Sequence, residues 1–284
     1  MSRIKIWALS FVTVLTVSAT VFAFMHFTGN PRNTKSQQAH PSPRTPAAWA
    51  SSTPTPKPTP TPTPLPLAGH TIVIDPGHQL GNYRHTREVT RLVDAGGGQR
   101  KACNTTGTST NDGFAESTFA FNVATELRPK LEALGATVLM TRHTNDTDSW
   151  GPCINDRAAL GNAENADLKI SIHGDGSAAS HHGFHIIVST QNKSWHQNSH
   201  ALAIEARTAL EAAGFARSTY IGGGTALSLR DDIGTLNLSN MPSIMAELGN
   251  MRNTNDAALM ASIEGQQRYA TALADAAEAY LASH

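Results

Sequence analysis

Charged side chains are scarce in this chain, and the two signs cancel. They make up 15% of the 284 residues, and 22 lysines and arginines balance 22 aspartates and glutamates. A protein that binds nucleic acid needs a basic face, because contacts of lysine and arginine with phosphates supply most of the affinity. We therefore expect no nucleic-acid partner.

Cysteine is almost absent as well, since the chain has only Cys103 and Cys153. Neither lies near the N-terminus, which argues against a lipid anchor on cysteine. Outside the cytoplasm an even pair most often forms a disulfide. Metal binding is the alternative, but the candidate ligands described below are histidine and glutamate. We therefore predict a Cys103–Cys153 bridge.

The first 68 residues lack any convincing globular pattern. Arg3 and Lys5 precede an apolar stretch, Ile6–Phe27, that is long for the core of a signal peptide and suits one membrane span. We predict a signal-anchor or an export signal over residues 1–30, with the rest of the chain outside the cytoplasm. Residues 31–68 are rich in proline and threonine, and every second residue from Pro54 to Pro66 is proline. This composition is typical of a disordered or extended linker.

Residues 69–284 alternate between strand-like and helical patterns, which predicts an α/β domain. The expected architecture is a mostly parallel twisted β-sheet flanked by helices on both faces. Expected strands are Thr71–Ile74, Thr137–Thr141, Leu168–Ile172, Phe184–Ser189 and Ser243–Glu247, and expected helices are Ala115–Leu134, Ile154–Asn165, His196–Ala213 and about Asp256–Leu281. Pro129 predicts a bend in the first of these helices or its end near Leu127. Residues 79–113 fit neither pattern and are expected to form part of a cleft wall.

Two histidines stand at the ends of strand-like runs. His78 directly follows Thr71–Gly77, and His173 directly follows Leu168–Ile172. In open α/β sheets, sites gather at the carboxyl ends of strands, so we expect these side chains to meet. Asp75 is a candidate acceptor that would orient the His78 ring. Either histidine alone would more often be an ordinary hydrogen-bonded residue.

Glu116 continues the apolar stripe of the first predicted helix at helical spacing. Its carboxylate therefore points toward the core, where a buried charge needs a partner such as a cation. The alternative is a capping box with Gly113 as the N-cap. Together with the two histidines, Glu116 supplies the protein ligands of a hydrolytic zinc centre.

Glu247 also ends an apolar strand, and a carboxylate that does not bind the metal can serve as general base and acid. A structural salt bridge is the alternative. The remaining histidines are expected to be peripheral. His181, His182 and His185 are predicted to lie at a rim or on the surface, and His196 and His200 on a solvated helix face.

Four ordered motifs resemble those of the zinc-dependent N-acetylmuramoyl-L-alanine amidases, the type 3 family that cleaves bacterial peptidoglycan. They are Asp75–His78, Glu116, Ile170–His173 and Met245–Asn250, with Thr141, Arg142 and Arg157 as further matches. The resemblance implies one Zn²⁺ per chain held by His78, Glu116 and His173, with Glu247 as the catalytic acid and base.

Two positions depart from the family pattern. Asp175 replaces a common asparagine, and Asn250–Asn253 replaces an aromatic after Glu-Leu-Gly, as in single-domain amidases of actinobacterial type. The implied function is hydrolysis of the amide between N-acetylmuramic acid and L-alanine, by a monomer acting on peptidoglycan or muropeptides. The alternatives are a catalytically inactive cell-wall-binding or regulatory module of the same fold, and another zinc hydrolase acting on peptidoglycan.

Overall fold

The computed structural model describes residues 64–284, so the predicted N-terminal signal and most of the proline-rich linker lie outside the described residues. The β-strands are β1 (Thr71–Pro76), β2 (Leu92–Asp94), β3 (Arg100–Ala102), β4 (Thr137–Met140), β5 (Leu168–Asp175), β6 (His185–Ser189), β7 (Leu227–Arg230) and β8 (Ser243–Asn250). The α-helices are α1 (Thr86–Thr90), α2 (Glu116–Ala133), α3 (Ile154–Ala163), α4 (His196–Ala212), α5 (Gly234–Asn237), α6 (Thr254–Ala261) and α7 (Ile263–Leu281). Within residues 64–284, every helix is too short or too polar to cross a membrane.

Six strands form the main sheet, in the order β4-β1-β5-β8-β6-β7. All neighbours are parallel except β6 and β8, which run antiparallel. Helices α2, α4 and α7 pack on one face, and α3 and α5 pack on the other. This arrangement confirms the predicted α/β class with a mostly parallel sheet covered on both faces.

The main hydrophobic core lies between the sheet and helices α2, α4 and α7. Alternate residues of the strands face it, for example Ile170 and Ile172 on β5 and Ile244 on β8, all with no exposed surface. Side chains at a two-residue spacing share a face of a strand. The residues between them therefore point to the opposite face, which carries Asp75, Lys169, Ser171 and His173.

Helix α2 continues to Ala133 despite Pro129, close to the predicted range Ala115–Leu134, so the alternative of an end near Leu127 is wrong. Pro129 is exposed, while Leu127 and Leu131 on either side are fully buried. Their packing in the core compensates for the backbone hydrogen bond that the proline cannot make. The single C-terminal helix predicted from about Asp256 is two helices, because Ser262 leaves the helical conformation and its hydroxyl accepts from Gly265 N at 3.0 Å.

Residues 79–113 are more regular than their composition indicated. They form a short 3₁₀ turn, helix α1 and the β2–β3 hairpin. These elements are only three to five residues long, too short to show a period in the sequence. The predicted disulfide between Cys103 and Cys153 is present and joins this segment to the residue before α3.

Candidate metal centre

His78, Glu116 and His173 come together at the carboxyl ends of β1 and β5. One donor atom from each lies within 4.8 Å of the others. Glu116 Oε1 is 3.0 Å from His78 Nε2 and 2.8 Å from His173 Nδ1. The three side chains are only 12%, 5% and 7% exposed, respectively, so a charge held among them is shielded from water.

The turn after β1 allows this approach. A Cβ atom on Gly77 would lie 2.3 Å from the His173 ring, so only glycine fits there. The next residue, His78, has a φ of 58°, in the left-handed region that non-glycine residues seldom adopt. Such strain persists where the surroundings hold the residue in place, and it concentrates at functional sites.

Arg142 provides that support. Its guanidinium is buried and donates to four backbone carbonyls, of which three matter here: Pro76 O at 3.1 Å, Gly77 O at 3.1 Å and Ser117 O at 2.8 Å. The first two carbonyls belong to the turn that carries His78, and the third belongs to the first turn of α2, which carries Glu116. Arg142 therefore fixes these two segments relative to each other.

The hydrogen bonds of His78 determine which ring nitrogen is available. Its Nδ1 lies 3.0 Å from the carbonyl of Thr105, which can only accept, so Nδ1 carries the proton. In the neutral ring, Nε2 then presents a lone pair to the Glu116 carboxylate. Two acceptors at this distance need a proton or a cation between them, and a metal-binding histidine is typically oriented in this way by its other nitrogen.

Glu116 is held as an anion. Burial alone would raise the pKa of Glu116, but its interactions with His78 and His173 outweigh burial and keep the pKa well below its ordinary value. The second oxygen accepts from Thr108 N at 2.8 Å. Gly107 brings that loop close, because a Cβ atom there would lie 2.6 Å from Glu116 Oε2. Ala115, and not Gly113, is the N-cap of α2, so the capping-box alternative does not describe this residue.

Asp75 does not orient His78, so that expectation is wrong. It instead forms a buried ion pair with Arg157, at 2.7 Å and 2.9 Å, and accepts from Ser171 Oγ at 2.8 Å. Burial would raise the pKa of Asp75, but the cations of Arg157 and Lys169 outweigh this and hold it well below its usual range. Asp75 lies on β1, whereas His78 lies beyond the turn that follows this strand, and the two side chains therefore point in different directions.

The Asp75–Arg157 ion pair lies next to His173. Arg157 Nη2 lies 3.3 Å from His173 Nε2. Burial is the largest effect on His173, and together with the positive charges nearby it lowers the pKa of the ring. The imidazole is therefore neutral, as a metal ligand must be.

Glu247 stands beside His173, since the two are register partners on β8 and β5. Among residues 64–284, its Oε2 atom is buried without a hydrogen-bond partner. Burial, followed by the negative charges of Glu116 and Asp175, raises the pKa of Glu247 well above its ordinary value. The salt-bridge alternative is not supported, because the described part of the chain offers Glu247 no ion-pair partner within 4.0 Å.

Two cavities lie near the site. One, of about 540 Å³, is lined by Tyr83, Gly107, Ser117 and Arg252 among others. The other, of about 330 Å³, is lined by both histidines, Lys101, Asp232 and Met245 among others. Residues 79–113 contribute to both cavities, which confirms their predicted place in the cleft wall.

The histidines outside this cluster differ from one another. His185 is buried, with 4% of its surface exposed, so the prediction that it lies at a rim or surface is wrong. It begins a strand that is buried on both faces, and such a strand shows no alternation that would reveal its inward side. His196 bonds through Nδ1 to the carbonyl of Ser189 at 2.8 Å.

Known proteins are similar to this chain in sequence and fold. Residues 72–279 match the family model described as N-acetylmuramoyl-L-alanine amidase. The chain is 39% identical over 219 residues to the Mycobacterium tuberculosis protein named N-acetylmuramoyl-L-alanine amidase Rv3717, which covers 76% of this chain and 88% of that protein. The crystal structure of Ami1 from Mycobacterium smegmatis superimposes with a TM-score of 0.73 at 37% identity, over 77% of this chain and 99% of that one. The apo Ami1 of Mycobacterium abscessus gives 0.71 at 39% identity, over 76% and 100%.

Proposed function

Because this chain belongs to the N-acetylmuramoyl-L-alanine amidase family, we propose that it hydrolyses the amide between N-acetylmuramic acid and L-alanine in peptidoglycan. The observation that carries the proposal is the convergence of His78, Glu116 and His173 beside a buried glutamate, Glu247. Two imidazoles and one carboxylate are a donor set typical of a catalytic zinc site that keeps a position open for water.

His78 Nε2, a Glu116 oxygen and His173 Nδ1 are the atoms that would hold one Zn²⁺ per chain. When bound, zinc lowers the pKa of a water ligand to about 7 and polarises a carbonyl. The donors fit this role, since Thr105 orients His78 and the anionic Glu116 offsets the charge of the cation. Arg142 holds the segments that carry His78 and Glu116 in place through the hydrogen bonds described above.

Glu247 is the proton carrier of the proposed reaction. Its carboxylate takes a proton from the attacking water, whose oxygen forms a bond to the lactyl carbonyl carbon. When the carbon–nitrogen bond breaks, Glu247 returns that proton to the leaving amine of L-alanine. The raised pKa of Glu247 suits a group that must both accept and release a proton.

The cleft gives the stem peptide a path past these residues. Residues 79–113 form one border, and residues 222–232 form the other, with Asp232 in the wall of the 330 Å³ cavity. We place the substrate amide beside the metal cluster, at the cavity of about 330 Å³ that both histidines line.

A substrate in the cell wall requires the enzyme outside the cytoplasm. The apolar stretch near the N-terminus serves this as a signal-anchor or export signal in residues 1–30, and residues 31–68 act as the linker between it and the catalytic domain, residues 69–284. If residues 1–30 are a signal-anchor, they would also attach the protein to the membrane. We propose a monomer.

Digestion of purified disaccharide-peptide muropeptides, followed by mass spectrometry, tests the activity. The full chain with zinc should release the intact stem peptide and leave the free disaccharide. Trimmed peptides would indicate a peptidase, and loss of acetate a deacetylase. Binding of muropeptides without any change in their mass would indicate an inactive binding module.

Two variants assign the role of Glu247. Glu247→Ala should bind zinc as the unaltered chain does but release peptide about 10²–10⁴ times more slowly. Glu164→Ala, at an exposed position after α3, is the matched control and should retain full activity. Normal release by Glu247→Ala would remove Glu247 from the mechanism.

A further inference from the structure

Glu247 has a histidine on either side within the sheet. His173 is its register partner on β5, and His185 is its register partner on β6. Partners in register point to the same face of a sheet, with Cβ atoms about 4.5–5.5 Å apart. The row His173–Glu247–His185 therefore crosses three adjacent strands at the level of the metal cluster, and its third member has no role in the mechanism above.

Glu247 and His185 each have an unpaired polar atom. Among residues 64–284, both His185 Nδ1 and Glu247 Oε2 are buried and lack a hydrogen-bond partner. Such atoms are rare in native proteins, because an unpaired buried polar group is costly. One shared water, or a small shift of either side chain, would satisfy both atoms at once.

The neighbours of His185 hold its ring and leave its nitrogen available. Tyr220 meets it edge-on at 6.2 Å between ring centroids, and the Tyr220 hydroxyl donates to Asp175 Oδ2 at 2.8 Å. His181 in turn stacks on the Tyr220 ring, with 4.7 Å between the ring centroids. Asp175 replaces an asparagine common in the family, and its carboxylate gives the tyrosine hydroxyl an acceptor.

Arg230, a cation near Glu247, already forms an ion pair with Asp232. The Arg230 guanidinium donates twice to Asp232, at 2.8 Å from both Nε and Nη2. Asp175 can only accept when ionised. His185 is therefore the group in this row that can donate a hydrogen bond to the Glu247 carboxylate.

We propose that His185 is a positioning residue, whose Nδ1–H orients the Glu247 carboxylate, directly or through one water, toward the water and the leaving amine. This inference rests on the proposed function, since it assigns His185 a role in the same proton transfer. Burial lowers the pKa of His185 to about 4, so the ring is neutral at physiological pH and has one N–H to donate.

Two substitutions at this position separate a donor from a space-filling side chain. In His185→Asn, the amide nitrogen can occupy the place of Nδ1, whereas His185→Leu has similar bulk and no donor. We expect kcat for peptide release to fall about 10–100-fold in His185→Leu and to recover most of that loss in His185→Asn. KM should stay within about twofold, because the effect lies on the proton carrier and not on binding. His143→Leu, at an exposed position, is the control.

Zinc content and melting temperature are measured on the same samples. The inference predicts one zinc per chain in all variants. It is overturned if His185→Leu keeps the kcat of the unaltered chain, if Leu and Asn are equally impaired, or if activity falls only in proportion to lost zinc or lost folded protein. An unaltered chain that releases no peptide would instead refute the proposed function.

Discussion

The two faces of the central sheet are both buried, but they are filled in different ways. On β5, Ile170 and Ile172 point into a core whose helical side is built mainly of apolar side chains from α2, α4 and α7. Lys169, Ser171 and His173 alternate with them and point into a network of hydrogen bonds. One strand therefore contributes to both stability and chemistry. Every second residue of β5 faces the apolar core, and the residues between them face the hydrogen-bond network that includes His173.

The two faces also differ in their energetics. The apolar face gains free energy as surface leaves water, roughly in proportion to its area. The polar face must offset the desolvation of its charges, and a buried ion pair seldom gives a net gain in stability. The hydrogen bonds of the polar face instead fix the positions of its side chains, because Asp75, Arg157 and Arg142 each make several of them.

The largest effect is expected from Glu116→Ala, which removes the carboxylate between the two histidines. Zinc affinity should fall more than about 100-fold, measured by calorimetric titration. Ile172→Ala, one residue before His173 but on the other face, is the matched comparison. It should lose about 2–5 kcal/mol of stability and still bind one zinc. Equal zinc binding by both variants would break the distinction between the faces.

Asp75→Asn should cost about 3–5 kcal/mol of unfolding free energy, because it leaves the buried Arg157 and Lys169 charges without their counter-ion. The Asp75 pKa lies below its ordinary value of 3.8 in the folded protein. Its contribution is therefore fully present above about pH 4 and is lost as pH falls further, since the unfolded chain then binds the additional proton. Urea unfolding at pH 7 and pH 3 should show a smaller loss on acidification in Asp75→Asn than in the unaltered chain. The same loss in both proteins would contradict this assignment.

Removal of the disulfide should have a smaller effect and leave both faces of the sheet intact. The Cys103–Cys153 bridge closes a separation of 50 residues. Its loss in the double variant Cys103→Ser, Cys153→Ser should cost about 2–4 kcal/mol, chiefly by freeing the unfolded chain. Thermal unfolding measures this, and zinc affinity should change little. A loss of zinc larger than the loss of folded protein would show that the bridge also shapes the metal site.

The smallest effect is expected outside both faces. Arg128 and Glu132 form an exposed pair on α2 at 2.7 Å. Arg128→Ala should change the unfolding free energy by less than about 1 kcal/mol, because water and salt screen such pairs. A larger loss in urea unfolding would indicate that this surface of α2 does more than face solvent.

The sequence predicted the outline of the site because its parts follow strong local patterns. Each histidine follows an apolar strand-like run, and Glu116 falls on the helical stripe of Phe119, Val123 and Leu127. The structure brings the three side chains together, and the alternation of strands and helices predicted the sheet that does so.

The supporting residues could not be predicted in the same way. Arg142 bonds to carbonyls of segments about 25 and 65 residues away, and no local pattern encodes such partners. Lys169 is fully buried in a strand, where its partners Thr235 and Ser239 arrive from α5 and the loop after it. The cluster of His181, His182 and His185 near a strand start predicts a rim or surface position for His185, whereas its neighbours in space are Glu247 and Tyr220.

Anomalous diffraction from crystals grown with zinc tests the central claim most directly. Data collected on both sides of the zinc absorption edge should give one strong peak per chain, within bonding distance of His78 Nε2, Glu116 and His173 Nδ1. A peak bound to other residues, with none at this cluster, would contradict the account.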